Sequence, residues 1–131
     1  MSLEDKAGHP QDFDVRYRFL RPEEGGRKGP VFQGYRSDFE YADRPLATDT
    51  AVWMIWPEFE DTDGQVLPEK TVVPMQGTAR MWIVNDAYRH VHRERLAVGT
   101  RGFIVEGARR VAELEVTRIV GLHTNSSGDD E

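Results

Sequence analysis

Phe13, Val15, Tyr17 and Phe19 alternate with Asp14, Arg16 and Arg18. A period of two with one apolar face predicts a half-buried strand. Further strands are predicted at residues 39–41, 51–56 and 79–84, the last two apolar on both faces, as in the interior of a barrel or sandwich. Towards the C-terminus Ala112, Leu114 and Val116 alternate with Glu113, Glu115 and Thr117. The runs 103–105 and 110–116, joined by Glu106, Gly107, Ala108 and Arg109, read as a closing hairpin with Gly107 at positive φ. Residues 56–72 read as a loop in which Asp63 and Gly64 supply turn chemistry for a small hairpin. Residues 85–96 fit two descriptions: a short helix capped by Asn85 or Asp86 with Tyr88 and Val91 inward, or a strand or loop.

The chain ends are too polar to bury much, so residues 1–12 and 123–131 are expected as mobile tails around one domain over 13–122. A length of 131 residues suits a single core, and 12 Gly with 7 Pro suit many short strands better than a helical bundle. A net charge of -6 opposes unspecific attraction to nucleic acid, so any RNA contact must come from a local patch. There is no cysteine, hence no disulfide or thiolate chemistry, which suits a reducing cytoplasm. No apolar run has the length of a membrane span, and the polar start has no signal-peptide core, so a cytoplasmic location is expected.

Two segments are more specific. Residues 23–39 read Glu, Glu, Gly, Gly, Arg, Lys, Gly, Pro, Val, Phe, Gln, Gly, Tyr, Arg, Ser, Asp, Phe. They resemble the stretch of the third domain of elongation factor Tu that reads EEGGR, a Pro-aromatic run, then GYRPQF. Residues 99–111, from Gly99 through Phe103, Glu106 and Gly107 to Val111, resemble that domain's closing hairpin GLRFAIREGGRTV. Physically, Gly25 and Gly26 permit a tight reversal and Gly34 another before the strand at Phe39. The resemblance spans about residues 15–122 and implies a closed six-stranded antiparallel Greek-key barrel, in agreement with the alternation.

In that family the domain holds the T stem of aminoacyl-tRNA, packs on a GTPase domain and meets a nucleotide-exchange factor. The family's hairpin glutamate beside the tRNA falls on Glu106. Its glutamine in GYRPQF falls on Asp38, an anion that repels phosphate, and its next-strand threonine falls near residues 45–47 without a clear equivalent. No stretch fits a phosphate-binding loop, so neither nucleotide binding nor GTP hydrolysis is expected. Surfaces that pack on sister domains in the factor would, in a single domain, be exposed to solvent unless they are polar in this chain or covered by another protein.

Other constellations weigh less. His90, His92 and Glu94 share a face if extended, a donor set for Zn or Fe, but diverge in a helix. Tyr88, Arg89, His90, His92, Arg93 and Arg95 form the one basic and aromatic cluster, which Arg16, Arg18, Lys28 and Arg36 extend if they share its face. The acidic loop Glu58, Glu60, Asp61, Asp63 lacks the spacing of a calcium loop, and no nucleophile has an evident base. The favoured reading is a non-catalytic, translation-related binding module for a protein partner, without cofactor or metal, contacting it through Glu106, Arg109, Arg36 and the cluster. The alternatives are an RNA- or tRNA-binding module on the same residues and a small metal enzyme at His90, His92 and Glu94. An exposed apolar and aromatic patch is the mark of the first.

Overall fold

The computed structural model describes residues 2–43 and 52–125. Six strands, β1 (Phe13–Phe19), β2 (Asp38–Tyr41), β3 (Trp53–Phe59), β4 (Gln76–Ile83), β5 (Arg101–Glu106) and β6 (Arg109–Ile119), form a closed barrel in the order β1-β4-β3-β2-β5-β6. Every pairing is antiparallel. β1 lies beside β4 after the run β2, β3, β4, which is the Greek-key arrangement.

Alternation sets the inside. Phe13, Val15, Tyr17 and Phe19 of β1 are all buried, as are Ile104, Ala112, Leu114 and Val116 of the closing hairpin. Aromatic rings fill the barrel: Phe59 meets Tyr17 at 5.0 Å and Phe19 at 6.0 Å between centroids, and Phe13 meets Phe39 edge-on at 6.5 Å. β3 runs further than its apolar pattern foretells, to Phe59 and through Pro57. The neighbouring bonds explain why proline is tolerated: Met54 O and Glu60 N bond to the β4 side, so Pro57 faces β2, whose pairing with β3 ends at Met54. The small hairpin expected in the following loop is present, with Glu60 bridging Val66.

The outward tryptophans of β3 and β4, Trp56 and Trp82, are cross-strand partners. The Arg36 guanidinium covers Trp56 at 4.7 Å, and Trp82 is buried with its Nε1 donating to His9 O at 3.3 Å. The outward apolar side chains Trp56 and Trp82 are thereby accounted for, while Met54 of β3 stays exposed.

Each end of the barrel is closed. At one end, residues 31–33 lie along 71–73, and the Gln33 amide both donates to Phe59 O (2.9 Å) and accepts from Phe59 N (3.0 Å). At the other, the undecided segment 85–96 is helical: Asn85 caps a 3-10 turn, Asp86–Tyr88, which leads into α2 (Arg89–Arg95). Its inward residues are not the expected Tyr88 and Val91 but Arg89 and His92, while Tyr88 is half exposed. Arg89 reaches inward because it ion-pairs with Asp12 and with Asp86, the latter at 2.8 Å.

That same pair corrects the reading of residues 1–12 as a tail. A five-residue helix, α1 (Leu3–Ala7), capped by Ser2, packs on the barrel wall, with the Leu3 amide donating to Glu58 at 3.0 Å; Leu3, Gln11 and Asp12 are buried. At the C-terminal side Asn125 is buried too, donating to Pro10 O (3.0 Å) and Asp12 (2.8 Å), and residues 126–131 of the expected tail lie outside the described residues.

Gly107 has φ +59 and Gly25 and Gly34 are also left-handed, whereas Gly26 serves a different need: a Cβ there would lie 2.1 Å from Leu20 O. Nothing lies within 4 Å of a Cβ built on Gly107, so Gly107→Val isolates backbone strain. A destabilisation of about 1–3 kcal/mol is expected in urea titration. A loss within error would show that the hairpin turn tolerates another conformation.

Candidate interaction face

The strand register lays the outward residues of β5, β6, β1 and β4 into two lateral rows. One runs Arg101, Glu115, Arg16, Thr78; the other, continued onto β2, runs Glu40, Phe103, Glu113, Arg18, Gln76. Charges of opposite sign therefore meet across strands. Arg16 pairs with Glu115, and Arg18 pairs with Glu113 (2.9 Å) and with Glu24 (3.0 Å). The Arg18 guanidinium, aided by the Arg21 amide, holds the Glu24 carboxyl down at about 2. Arg110 pairs with Glu40 (2.7 Å) and lies over the Phe103 ring at 4.2 Å.

Two open depressions of about 790 and 870 Å³ lie along these rows and share Arg18, Phe103 and Glu113. Together they make one trough over β5 and β6. The first includes Arg101, and the second ends at the hairpin turn with Gly107 and Arg109. Arg101 and Arg109 are exposed and have no carboxylate partner among the described residues. Arg109 was legible in the sequence as a hairpin-turn cation. Arg101 and Phe103 were missed, although alternation alone, carried from Arg101 through Phe103, puts both on the outer face.

Glu106 stands at the edge of this face and is engaged within the chain. Its Oε2 accepts from Arg27 Nη1 at 2.7 Å and from the Tyr35 hydroxyl. Burial, reinforced by this carboxylate, raises the Tyr35 phenol well above its ordinary range. Arg27 thus ties residues 23–39 to the hairpin of 99–111, and β2 pairs directly with β5.

The other expected site residues are dispersed. Arg36 sits over Trp56, away from the trough, and burial lowers its guanidinium. Arg16 and Arg18 are on the trough but paired. The basic cluster of 88–95 is not a patch, because a helix turns its members to different sides: Arg89 and His92 are buried, Arg93 donates to Leu122 O (2.9 Å) and Asn125 O (2.6 Å), and Arg95 covers the Tyr41 ring at 3.7 Å. His90 alone of these basic residues is exposed.

The donor set His90, His92 and Glu94 is likewise undone, with His92 buried and the other two exposed. Among the described residues no group of three His, Cys, Asp or Glu side chains is placed to hold a metal. Residues 45–47, where the resemblance sets a threonine contact, lie outside the described residues.

No protein-family model matches the chain, and no curated protein matches it in sequence. Among the described residues no helix is long and apolar enough to cross a membrane. Among the described residues the exposed large apolar side chains are Phe32 with its bridge partner Val72, Val52 with Met54 at the start of β3, and Met75, Tyr88 and Val98.

His92 gives the barrel end a pH dependence. Burial first, then the charges of Arg95, Arg89 and His90, lower its imidazole to about 4, while Tyr41 Oη and His92 Nδ1 share a 2.6 Å hydrogen bond. A histidine depressed in the folded state stabilises it above the unfolded value, near 6.5, and loses that contribution as pH falls towards 4. Stability is expected to fall by about 3 kcal/mol over this window. His92→Gln should flatten the decline in urea titrations at pH 7, 5.5 and 4.5, and an unchanged slope would assign it to carboxylates instead.

Proposed function

We propose that this chain is a non-catalytic binding module of the elongation factor Tu domain-three type, which engages a protein partner, of the translation apparatus and in the cytoplasm, through the outer face of β5, β6 and β1. The observation that carries the reading is the barrel's filled interior. Aromatic side chains occupy it and both ends are closed, so recognition falls to the outer wall. On that wall most cations are already neutralised by carboxylates of the same chain.

Phosphate binding draws its affinity from counterions released by free Lys and Arg, and a face of paired arginines on a chain of charge -6 offers few. A trough with an aromatic floor and a satisfied polar rim is the anatomy of a protein contact. The family reading is supported by the meeting of residues 23–39 and 99–111 through the β2–β5 pairing and the Arg27–Glu106 bridge.

The test is capture from the organism's own extract, with and without ribonuclease, on the wild-type chain and on Phe103→Ala/Arg110→Ala. A protein retained after nuclease and lost from the variant is expected. Retention of tRNA or ribosomal RNA that nuclease abolishes would overturn the reading in favour of RNA.

A further inference from the structure

We propose that the trough over β5 and β6 receives an extended peptide segment bearing a carboxylate near each end and aromatic side chains between; this rests on the protein-binding reading above. Arg16, Arg18 and Arg110 are spent on Glu115, Glu113 with Glu24, and Glu40. What remains for a ligand is a guanidinium at either end, Arg101 and Arg109, and between them the part of the Phe103 ring that Arg110 leaves uncovered.

Arg109 is the cross-strand partner of Glu106, so it stands level with the far end of β5, while Arg101 opens that strand. Five strand steps separate the two levels, about 17 Å. An extended heptapeptide spans about 20 Å end to end, and its side chains at alternate positions share one face. Carboxylates at its first and last positions therefore reach the two guanidiniums, and aromatic residues at the third and fifth lie beside Phe103, against the Arg110 guanidinium that covers it. Guanidinium and carboxylate meet in a planar fork, which favours peptide carboxylates here. Among the described residues only two free cations face the trough, so an RNA strand, with a phosphate at every nucleotide, finds most of its charge unmet there.

The probe is a fluorescein-labelled heptapeptide, Glu-Ser-Phe-Ser-Phe-Ser-Glu, followed by anisotropy against the full chain at low and at physiological salt. Binding is expected, weakening with salt and with Gln in place of both Glu residues. Arg101→Ala or Arg109→Ala should each weaken it by about three- to fivefold, and the pair by about tenfold or more, whereas Lys6→Ala, an exposed cation off the trough, should not. Thermal melts confirm folding, because both substituted side chains are on the surface.

Absence of binding, equal binding of the Gln peptide, or indifference to both substitutions overturns the proposal. An oligouridylate that binds with the same dependence on Arg101 and Arg109 overturns it too and makes the ligand RNA. Arg101→Ala/Arg109→Ala in the capture experiment separates the two readings. A partner still retained by this variant leaves the protein-binding module standing without the acidic peptide, and no partner on the wild type removes the module itself.

Discussion

Asp12→Ala is expected to destabilise the barrel by about 3–5 kcal/mol, because it strands a fully buried guanidinium. Asp12 and Arg89 side chains are both without solvent exposure, and Asp12 also accepts from the Ile83 amide (2.8 Å) and from Asn125 (2.8 Å). Three chain segments thus converge on one carboxylate: the end of β4, the helix α2 and the residues after β6. Asp86 remains to Arg89 but is itself half exposed, and Arg89 Nε has no partner even in the intact structure. Removing Asp12 therefore leaves a buried cation short of acceptors and two donors unanswered.

Urea titration gives the loss as a shift in midpoint. The double replacement Asp12→Leu/Arg89→Met should recover part of it, since exchanging a buried ion pair for apolar side chains spares the desolvation of both charges. Recovery should stop short of wild type, because the Ile83 amide and one of the two Asn125 donor hydrogens stay unpaired, the other keeping Pro10 O. A single Asp12→Ala variant within about 1 kcal/mol of wild type would mean that water or Asp86 satisfies Arg89.

Phe59→Ala is the second large effect, about 3–5 kcal/mol. Its ring is fully buried between Tyr17 and Phe19, and its backbone is held at both polar groups by Gln33, so the strand cannot slide inward to fill the cavity. A shift in midpoint at unchanged slope is expected, the mark of lost packing in an otherwise native state. Phe103→Ala, on the outside of β5 beneath Arg110, should change stability by less than about 1 kcal/mol. The contrast between Phe59 and Phe103 separates core from contact surface. It also makes Phe103 the residue to alter when binding is to be lost without unfolding.

The filled core and the outer trough come from the same alternation. In β6, Leu114 goes inward against Tyr17 while Glu113 and Glu115 go outward against Arg18 and Arg16, as the register requires. A slip of one residue would bury the glutamates and expose the leucine, so the hydrophobic interior fixes the charge ladder of the exterior. The candidate face is in this sense a by-product of core packing.

Read alone, the sequence determined what depends on neighbours along the chain. β1 over Phe13–Phe19, the closing hairpin and the left-handed turns at Gly25, Gly34 and Gly107 follow from a period of two and from the backbone freedom of glycine. Strand order and partner choice were decided by the tertiary structure. Arg16 meets a glutamate 99 residues away, and Arg27 one 79 residues away. The cluster at 88–95 looked like a basic patch because its residues adjoin in sequence, yet a helix points successive residues about 100° apart. One side of that helix had to close the barrel end, and burying Arg89 there was possible only because Asp12, from a segment that reads as a polar tail, arrives as its counterion. Local pattern fixes which way a side chain faces, whereas the energy of a buried or paired charge depends on a partner that only the closed barrel brings within reach.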